Sequence, residues 1–555
     1  MNAMRVRTVT PMRRLFWPLL ALVVSSWSVA AEPAPQELPA DIVAEVKASY
    51  DEKAPAAVTG IVFVDANANG KRDAGEKGLA GVGVTDGVSI IESDEGGSYS
   101  IEIRPDPTIP WTPARTVSVC WPDGYWPVGR HWRRLSEIPN GKGADFPLRP
   151  DKQTFPFAFS QITDNHGSGG AYATYASDLK RLGGMSKFVV STGDILYANY
   201  SKPGPAIATY RTLMANIEKA DFGVPFLAVP GNHDNTGTNM KPEEYDPKHP
   251  LFCHGVYTKF LGPVRWSFDY GGCHFVGLDW KRPNADPKGM WEDITPQEAV
   301  DWLKKDLARV PNGRRVFVFV HFPTGVPEYY KVIGRATMSF GGHNHRVEQY
   351  YYGGPSITAM NLRGCGSSNI GIVTENDFAV VTRCAGCKGS HDYHSKLCGI
   401  GYRTKGDMPR RMAPVRGKPV EVPASDLGSI TIDGGGEGIE VEVTIDVGSA
   451  KRAGLKIGDQ EIVFDGAYLH VAGIPIPFKP WPEQKNTLTL HVAASGNMLI
   501  VYANDLIRTH KPAAVGDASK VTIFAENGTA ALAKGVVRPL KEGVDKVLVN
   551  MGYDQ

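Results

Sequence analysis

The chain has 555 residues, 42% of them hydrophobic and 10% aromatic, enough apolar material for several cores. Its 60 basic and 59 acidic residues nearly cancel to a formal charge of +1, so nothing marks the whole molecule as a nucleic-acid or membrane-surface binder.

Residues 1–31 read as an export signal. Arginines stand at 5, 7, 13 and 14, an apolar run follows from Leu15 to Val24, and small residues end at Ala30 and Ala31. A membrane anchor is the other reading, but a spanning helix needs about 20 apolar residues. This run is shorter and contains Pro18. Arg13-Arg14-Leu15-Phe16 resembles the twin-arginine signal for export of folded proteins, although Met12 stands where Ser or Thr is usual. No other stretch offers a stable membrane span, so the expected location is periplasmic or extracellular.

Residues 32–56 are rich in Pro and Ala and read as a linker with one short helical pattern, Ile42 to Tyr50. Over 57–150, short β-type runs (Gly60 to Val64, Val82 to Val84, Ser98 to Ile103, Thr116 to Cys120) are separated by Gly, Asp, Asn and Pro, which predicts a small β-sandwich. Within it, Asp65, Asn67, Asn69, Lys71, Asp73 and Glu76 have the spacing of a twelve-residue calcium loop. The alternative is a tight turn built by Asp and Asn side chains bonding their own backbone.

Over 151–378, apolar runs ending in polar residues alternate with amphipathic helical stretches, the texture of an α/β domain. Thr295-Pro296-Gln297-Glu298 predicts a helix start, with Thr as the cap, ahead of Ala299 to Val310. Residues 379–415 form a Cys-rich connector. Cys365, Cys384, Cys387 and Cys398 lie close together, while Cys120, Cys253 and Cys273 are scattered. In an oxidising compartment the four read as disulfides, with the pairing open. A structural zinc site on Cys384-x-x-Cys387, Cys398 and either Cys365 or His394 is the alternative. Over 416–555, alternating β patterning returns (Ile430 to Ile432, Ile439 to Ile445, Leu488 to Val492, Leu499 to Tyr502, Val521 to Phe524) and predicts a second β-sandwich.

Five polar clusters in the α/β stretch follow predicted strands. They are Asp164-Asn165-His166, Gly193-Asp194, Gly231-Asn232-His233-Asp234, His321, and Gly342-His343-Asn344-His345. In an α/β sheet such strand ends face one crevice, so residues distant in sequence meet there. A pair of divalent ions needs oxygen and imidazole donors, a carboxylate able to bridge, and glycines where the backbone turns sharply beneath the ligands. Each cluster alone is an ordinary loop; five in this order are a metal centre. Two ions about 3.5–4 Å apart activate water and stabilise an in-line displacement at phosphorus.

The order Asp-x-His, Gly-Asp, Gly-Asn-His-Asp, strand-terminal His, Gly-His-x-His resembles the calcineurin-like metallophosphoesterase superfamily over about residues 155–375. The resemblance implies an αββα sandwich flanked here by two β-sandwich domains. It gives one divalent metal (Mn, Fe, Zn or similar) to Asp164, His166 and His345 and the other to Asn232, His321 and His343, with Asp194 bridging. It implies hydrolysis of a phosphate mono- or diester by metal-bound hydroxide. His233 is the candidate general acid, with Asp234 beside it to orient the ring. Gly193-Asp194-x-x-Tyr197 also fits purple acid phosphatases, where the Tyr binds iron, but those enzymes have Gly where His166 stands. Tyr197 is therefore expected only to line the site.

The calcium-loop segment resembles calcium-associated repeats of bacterial surface proteins and the transthyretin-like module that precedes some metallophosphoesterases. "IEVEVTIDVGSAKRAGLKI", "LTLHVAASGNMLIVYANDL" and "VTIFAENGTAALAKGVVRPL" resemble the C-terminal lectin-like sandwich of invertase and levanase glycoside hydrolases. That module either packs on the catalytic domain or binds a glycan. No glycosidase activity is expected, because the carboxylates of those enzymes lie in a domain absent here. The competing class is a non-catalytic surface or carbohydrate-binding protein retaining the fold. The loops Asn235 to Pro263 and Pro283 to Ile294 are long and irregular, as pocket walls are. Tyr257, Trp280 and Trp291 are aromatic candidates there for stacking or packing.

Overall fold

The computed structural model describes residues 38–109, 111–167, 169–244, 246, 249–283, 291–343, 345, 347–351, 355–358, 361–362, 365–385, 399–404, 417–434, 436, 438–478, 486–496, 498–504, 507–540 and 544–551. The export signal, Cys387 and Cys398 lie outside them, and the side chains of Cys365 and Cys384 are not described, so both cysteine readings stay expectations. Cys120, Cys253 and Cys273 are buried free thiols.

Alternation along the strands assigns each residue to one of two layers. On Phe157–Ile162, Phe157 and Phe159 join a core that includes Phe188, Phe275, Phe317, Phe319 and Phe340, while Ala158 and Ile162 face another with helical residues Tyr172, Leu179 and Ile207. On the facing sheet, Phe317 and Phe319 of Arg315–Val320 point into the same aromatic core, and Val316, Val318 and Val320 pack with Trp302, Leu303 and Leu307. The result is two sheets face to face, with helices Gly169–Arg181 and Pro203–Ala220 on one outer side and Gln297–Ala308 and Pro327–Ile333 on the other.

In the first sheet, Phe226–Ala228, Ser186–Ser191 and Phe157–Ile162 run parallel, followed by the antiparallel Cys365–Val373 and Phe378–Ala385. In the second, Cys273–Leu278, Arg315–Val320, Met338–Gly341 and Pro355–Thr358 run parallel. Helix Gln297–Ala308 starts near the expected place, but without a side-chain cap. The Thr295 backbone instead donates to Thr324 O and accepts from Val326, which ties that residue to the neighbouring loop.

Neither β-rich flank stands apart. Before these two central sheets come two four-stranded sheets, whose Val62, Tyr99, Phe146, Val84 and Val119 share the aromatic core just described. Trp121 stacks on Phe268 at 4.3 Å between ring centres. The buried Arg265 joins Asp106 of the preceding region (2.9 Å) to Asp279 (2.6 Å), two charged contacts that water does not screen. At the other end, Phe378–Ala385 pairs antiparallel with Ile507–Pro512, so the first central sheet continues through Met498–Ala503, Thr487–Ser495 and Gly438–Asp446. The start of the expected connector is thus a strand bonded on both sides. The last strand, Val544–Met551, joins the second sheet between Val347–Tyr351 and Gly399–Thr404.

Candidate metal centre

Because the strands that precede the clusters run parallel within each sheet, their carboxyl ends fall on one edge: 164–166 follow Ile162, 194 follows Ser191, 232–234 follow Ala228, 321 follows Val320 and 343–345 follow Gly341. The backbone there is unusual. Asp164, His166, Asp194, His343 and His345 all have φ between 47° and 72°, the left-handed region that costs an ordinary residue energy and persists only where surrounding structure imposes it. Gly342 lies so close to Thr163 Oγ1 and Asp164 Oδ2 that a Cβ would overlap them.

The ligand atoms of Asp164, His166 and His345 lie within 4.8 Å of one another, as do those of Asp194, His321 and His343, and those of His166, Asp194 and His233. His166 Nε2 is 3.2 Å from His345 Nε2, which in turn is 3.3 Å from Asp164 Oδ1. On the other side, His321 Nε2 is 3.1 Å from Asn232 Oδ1 and 3.2 Å from Asp194 Oδ2, and His343 Nδ1 is 3.2 Å from Asn232 Oδ1. His321 Nδ1 donates to Thr192 O at 2.8 Å, which aims Nε2 into the centre. All seven residues converge, with Asp194 between the two groups.

Electrostatics couples these side chains to one another. Burial opposes ionisation of Asp194, yet the His321 charge and its hydrogen bond, with His233 adding to them, hold the carboxyl below the usual carboxylate range. Burial likewise opposes the charge on His321, and Asp194 overcomes it and pushes the imidazole up to about 9. Burial and the His321 charge take His343 down to about 4. Hydrogen bonding to Asp164 raises His345, and burial lowers His166. Two buried carboxylates thus need positive charge among imidazoles packed too closely to be protonated together. Imidazole, carboxylate and amide oxygen suit divalent transition ions, so the residues fit the metals the sequence implies.

Asp234 departs from expectation. Its Oδ2 accepts from Asp194 N and Gly231 N, both at 2.7 Å, and its Oδ1 from Ile195 N at 2.8 Å and Leu196 N at 3.2 Å. Four amides occupy the carboxylate, which therefore anchors the loop carrying Asp194 instead of orienting His233. Burial and the charge of Asp194 push its pKa up to about 7. His233 donates its backbone N–H to Asp194 Oδ1 at 2.8 Å, and its Nε2 lies 3.8 Å from Asp194 Oδ2. Its side chain is partly open, and burial lowers its pKa against the pull of Asp194.

Two aromatic rings flank the ligands. Tyr197 stacks on His166 (4.5 Å, 17°) and meets His233 edge-on (4.9 Å). Trp280 packs against His343 (4.8 Å) and His321 (5.2 Å), its indole N–H donating to Thr324 Oγ1. Sequence reasoning missed Thr192, whose contribution is a backbone carbonyl and leaves no side-chain signal.

At the calcium-loop positions, Asp65 Oδ1 and Oδ2 accept from Asn69 N and Gly70 N, and Glu76 accepts from Ala66 N and Asp73 N. Asn67 and Asn69 both donate to Asp73 Oδ2, and Lys71 N donates to Asn69 Oδ1. A further grouping absent from the sequence reading, Glu440, Glu442 and His491, lies on the C-terminal sheet with Arg538 donating to Glu442 at 2.8 Å. No described helix is long and apolar enough to cross a membrane.

No curated protein matches the chain. Among solved structures, a dimetal phosphatase from Danio rerio is 15% identical, with 42% of this chain and 96% of that one covered and a TM-score of 0.31. A protein from Thermus thermophilus is 12% identical, covering 40% and 99%, at 0.27. An exo-inulinase from Aspergillus awamori is 11% identical, covering 30% and 41%, at 0.20. Residues 157–347, which carry every ligand position named above, match the family model described as calcineurin-like phosphoesterase.

Proposed function

We propose that the protein is an exported, dinuclear metal-dependent phosphoesterase that hydrolyses a phosphate mono- or diester. The observation that carries this reading is the convergence of Asp164, His166 and His345 with Asn232, His321 and His343 around the buried Asp194. The left-handed backbone at five of these positions supports it, since such strain is retained where function needs the geometry. Bound divalent ions would supply an activated water and neutralise charge on the phosphoryl oxygens.

The protein's own groups do the rest. Thr192 and Asp234 fix the ligand loops from behind. His233, half-buried beside Asp194, would protonate the departing alkoxide from Nε2. Residues 1–31 direct export, so the mature chain would begin at Glu32.

The test is turnover of chromogenic phosphate mono- and diesters by wild type, Asp194→Asn and His233→Ala in the presence of Mn, Fe or Zn. Asp194→Asn should remove nearly all activity. His233→Ala should lose about 100-fold or more on esters with alkyl leaving groups and less where the leaving group needs no proton. Unchanged turnover in Asp194→Asn would sink the reading.

A further inference from the structure

Tyr197 and Trp280 lie on opposite flanks of the ligand set, but they differ in one respect that decides what each can do. Trp280 is 2% exposed and packs as a wall behind His321 and His343. Tyr197 is 53% exposed although one face of its ring lies on His166, so its other face opens to solvent.

The position of the open ring is set by the chemistry beside it. A general acid must come within hydrogen-bond reach of the leaving oxygen. The His233 ring is 4.9 Å from the Tyr197 ring, so whatever the leaving oxygen is attached to emerges alongside Tyr197. A flat ring is the group that such a face binds best, because stacking needs only a second π-face and tolerates sequence and substituent. Ala198 N and Asn199 N both donate to the His233 carbonyl, at 2.8 and 3.1 Å, so the Tyr197 loop and the His233 loop move as one unit and the platform keeps its place relative to the acid.

We infer that Tyr197 is a specificity-determining platform that stacks on a flat aromatic ring carried by the leaving group, as in a nucleoside phosphate. The inference rests on the phosphoesterase reading and narrows it to esters whose alcohol bears a planar ring. His166 remains a ligand, and Tyr197 contributes binding rather than bond making.

The test compares adenosine 5'-monophosphate with ribose 5-phosphate, and the methyl diesters of both. Within each pair only the base differs, and for the diesters the product scored is the free 5'-alcohol with methyl phosphate, which identifies the 5'-oxygen as the leaving oxygen. Wild type should favour the adenosine ester by about fivefold or more in kcat/KM, chiefly through KM. Tyr197→Ala should bring that preference to within about twofold of unity, and Tyr197→Phe should keep it. Because the readout is a ratio on one preparation, any metal loss in Tyr197→Ala cancels. A wild-type ratio near one, or a ratio unchanged in Tyr197→Ala, overturns the inference while leaving the phosphoesterase reading in place. Failure of wild type to hydrolyse either pair, or any chromogenic ester, with Mn, Fe or Zn present overturns both.

Discussion

Folding stability should fall with pH across a window set by His274, which is buried on the strand Cys273–Leu278. Its Nδ1 is 2.7 Å from Asp269 Oδ1 on the neighbouring strand, and its Nε2 is 2.8 Å from Asp306 Oδ2 on helix Gln297–Ala308. Burial pulls the imidazole down, but the two carboxylates outweigh it and raise the pKa from 6.5 to about 9. The folded value lies above the unfolded one, so the stabilisation is fully present below pH 6.5 and is lost as pH rises through about 9. At 1.36 kcal/mol for each tenfold change, the difference between 6.5 and about 9 is worth about 3 kcal/mol. Denaturant unfolding of wild type and His274→Gln from about pH 6 to about pH 10 measures it. The advantage of wild type over the variant should shrink by about 3 kcal/mol over that range. Parallel stability curves for the two proteins would refute the reasoning.

Asp234→Ala leaves four buried amides without their acceptor, so it should cost on the order of 4 kcal/mol and release metal, seen as a lower melting temperature and a lower metal content. If the carboxylate instead oriented His233, stability would hold and only the pH–rate profile would move. Gly342→Ala places a Cβ against Asp164 and Thr163 and should weaken metal affinity by about tenfold or more, measured by competition with a chromogenic chelator. Ending the chain at Leu540 removes Val544–Met551, the partner of the strand that follows His345, and should lower metal retention and turnover together; full activity in the truncated chain would contradict the pairing.

The catalytic core was legible because its signals are local. Phe157, Phe159, Phe317 and Phe319 alternate with smaller apolar residues, and a ligand cluster follows each strand within a few positions, so pattern located the strands and the edge where the clusters meet, while the layering followed from the family resemblance. The role of Asp234 was not legible, because its partners are backbone amides that look alike in any sequence, whereas His233 is its chain neighbour and suggested itself first. Likewise, the polar run Ile507 to Pro512 announces neither a strand nor its partner. The pairing of Val380 with His510 spans 130 positions, and it merges two regions that composition separates. Tyr197 and Trp280 are both aromatic residues near a ligand, and only burial distinguishes platform from wall.

The claim on which the rest depends is that one chain holds two divalent ions through the shared Asp194. Elemental analysis of the purified protein, after loading with Mn, Fe or Zn and removal of excess metal, tests it most directly. About two ions per chain in wild type, falling to one or fewer in Asp194→Asn together with phosphoester turnover, is the predicted result. Wild-type protein that retains no divalent ion, or Asp194→Asn protein that retains both, would contradict it.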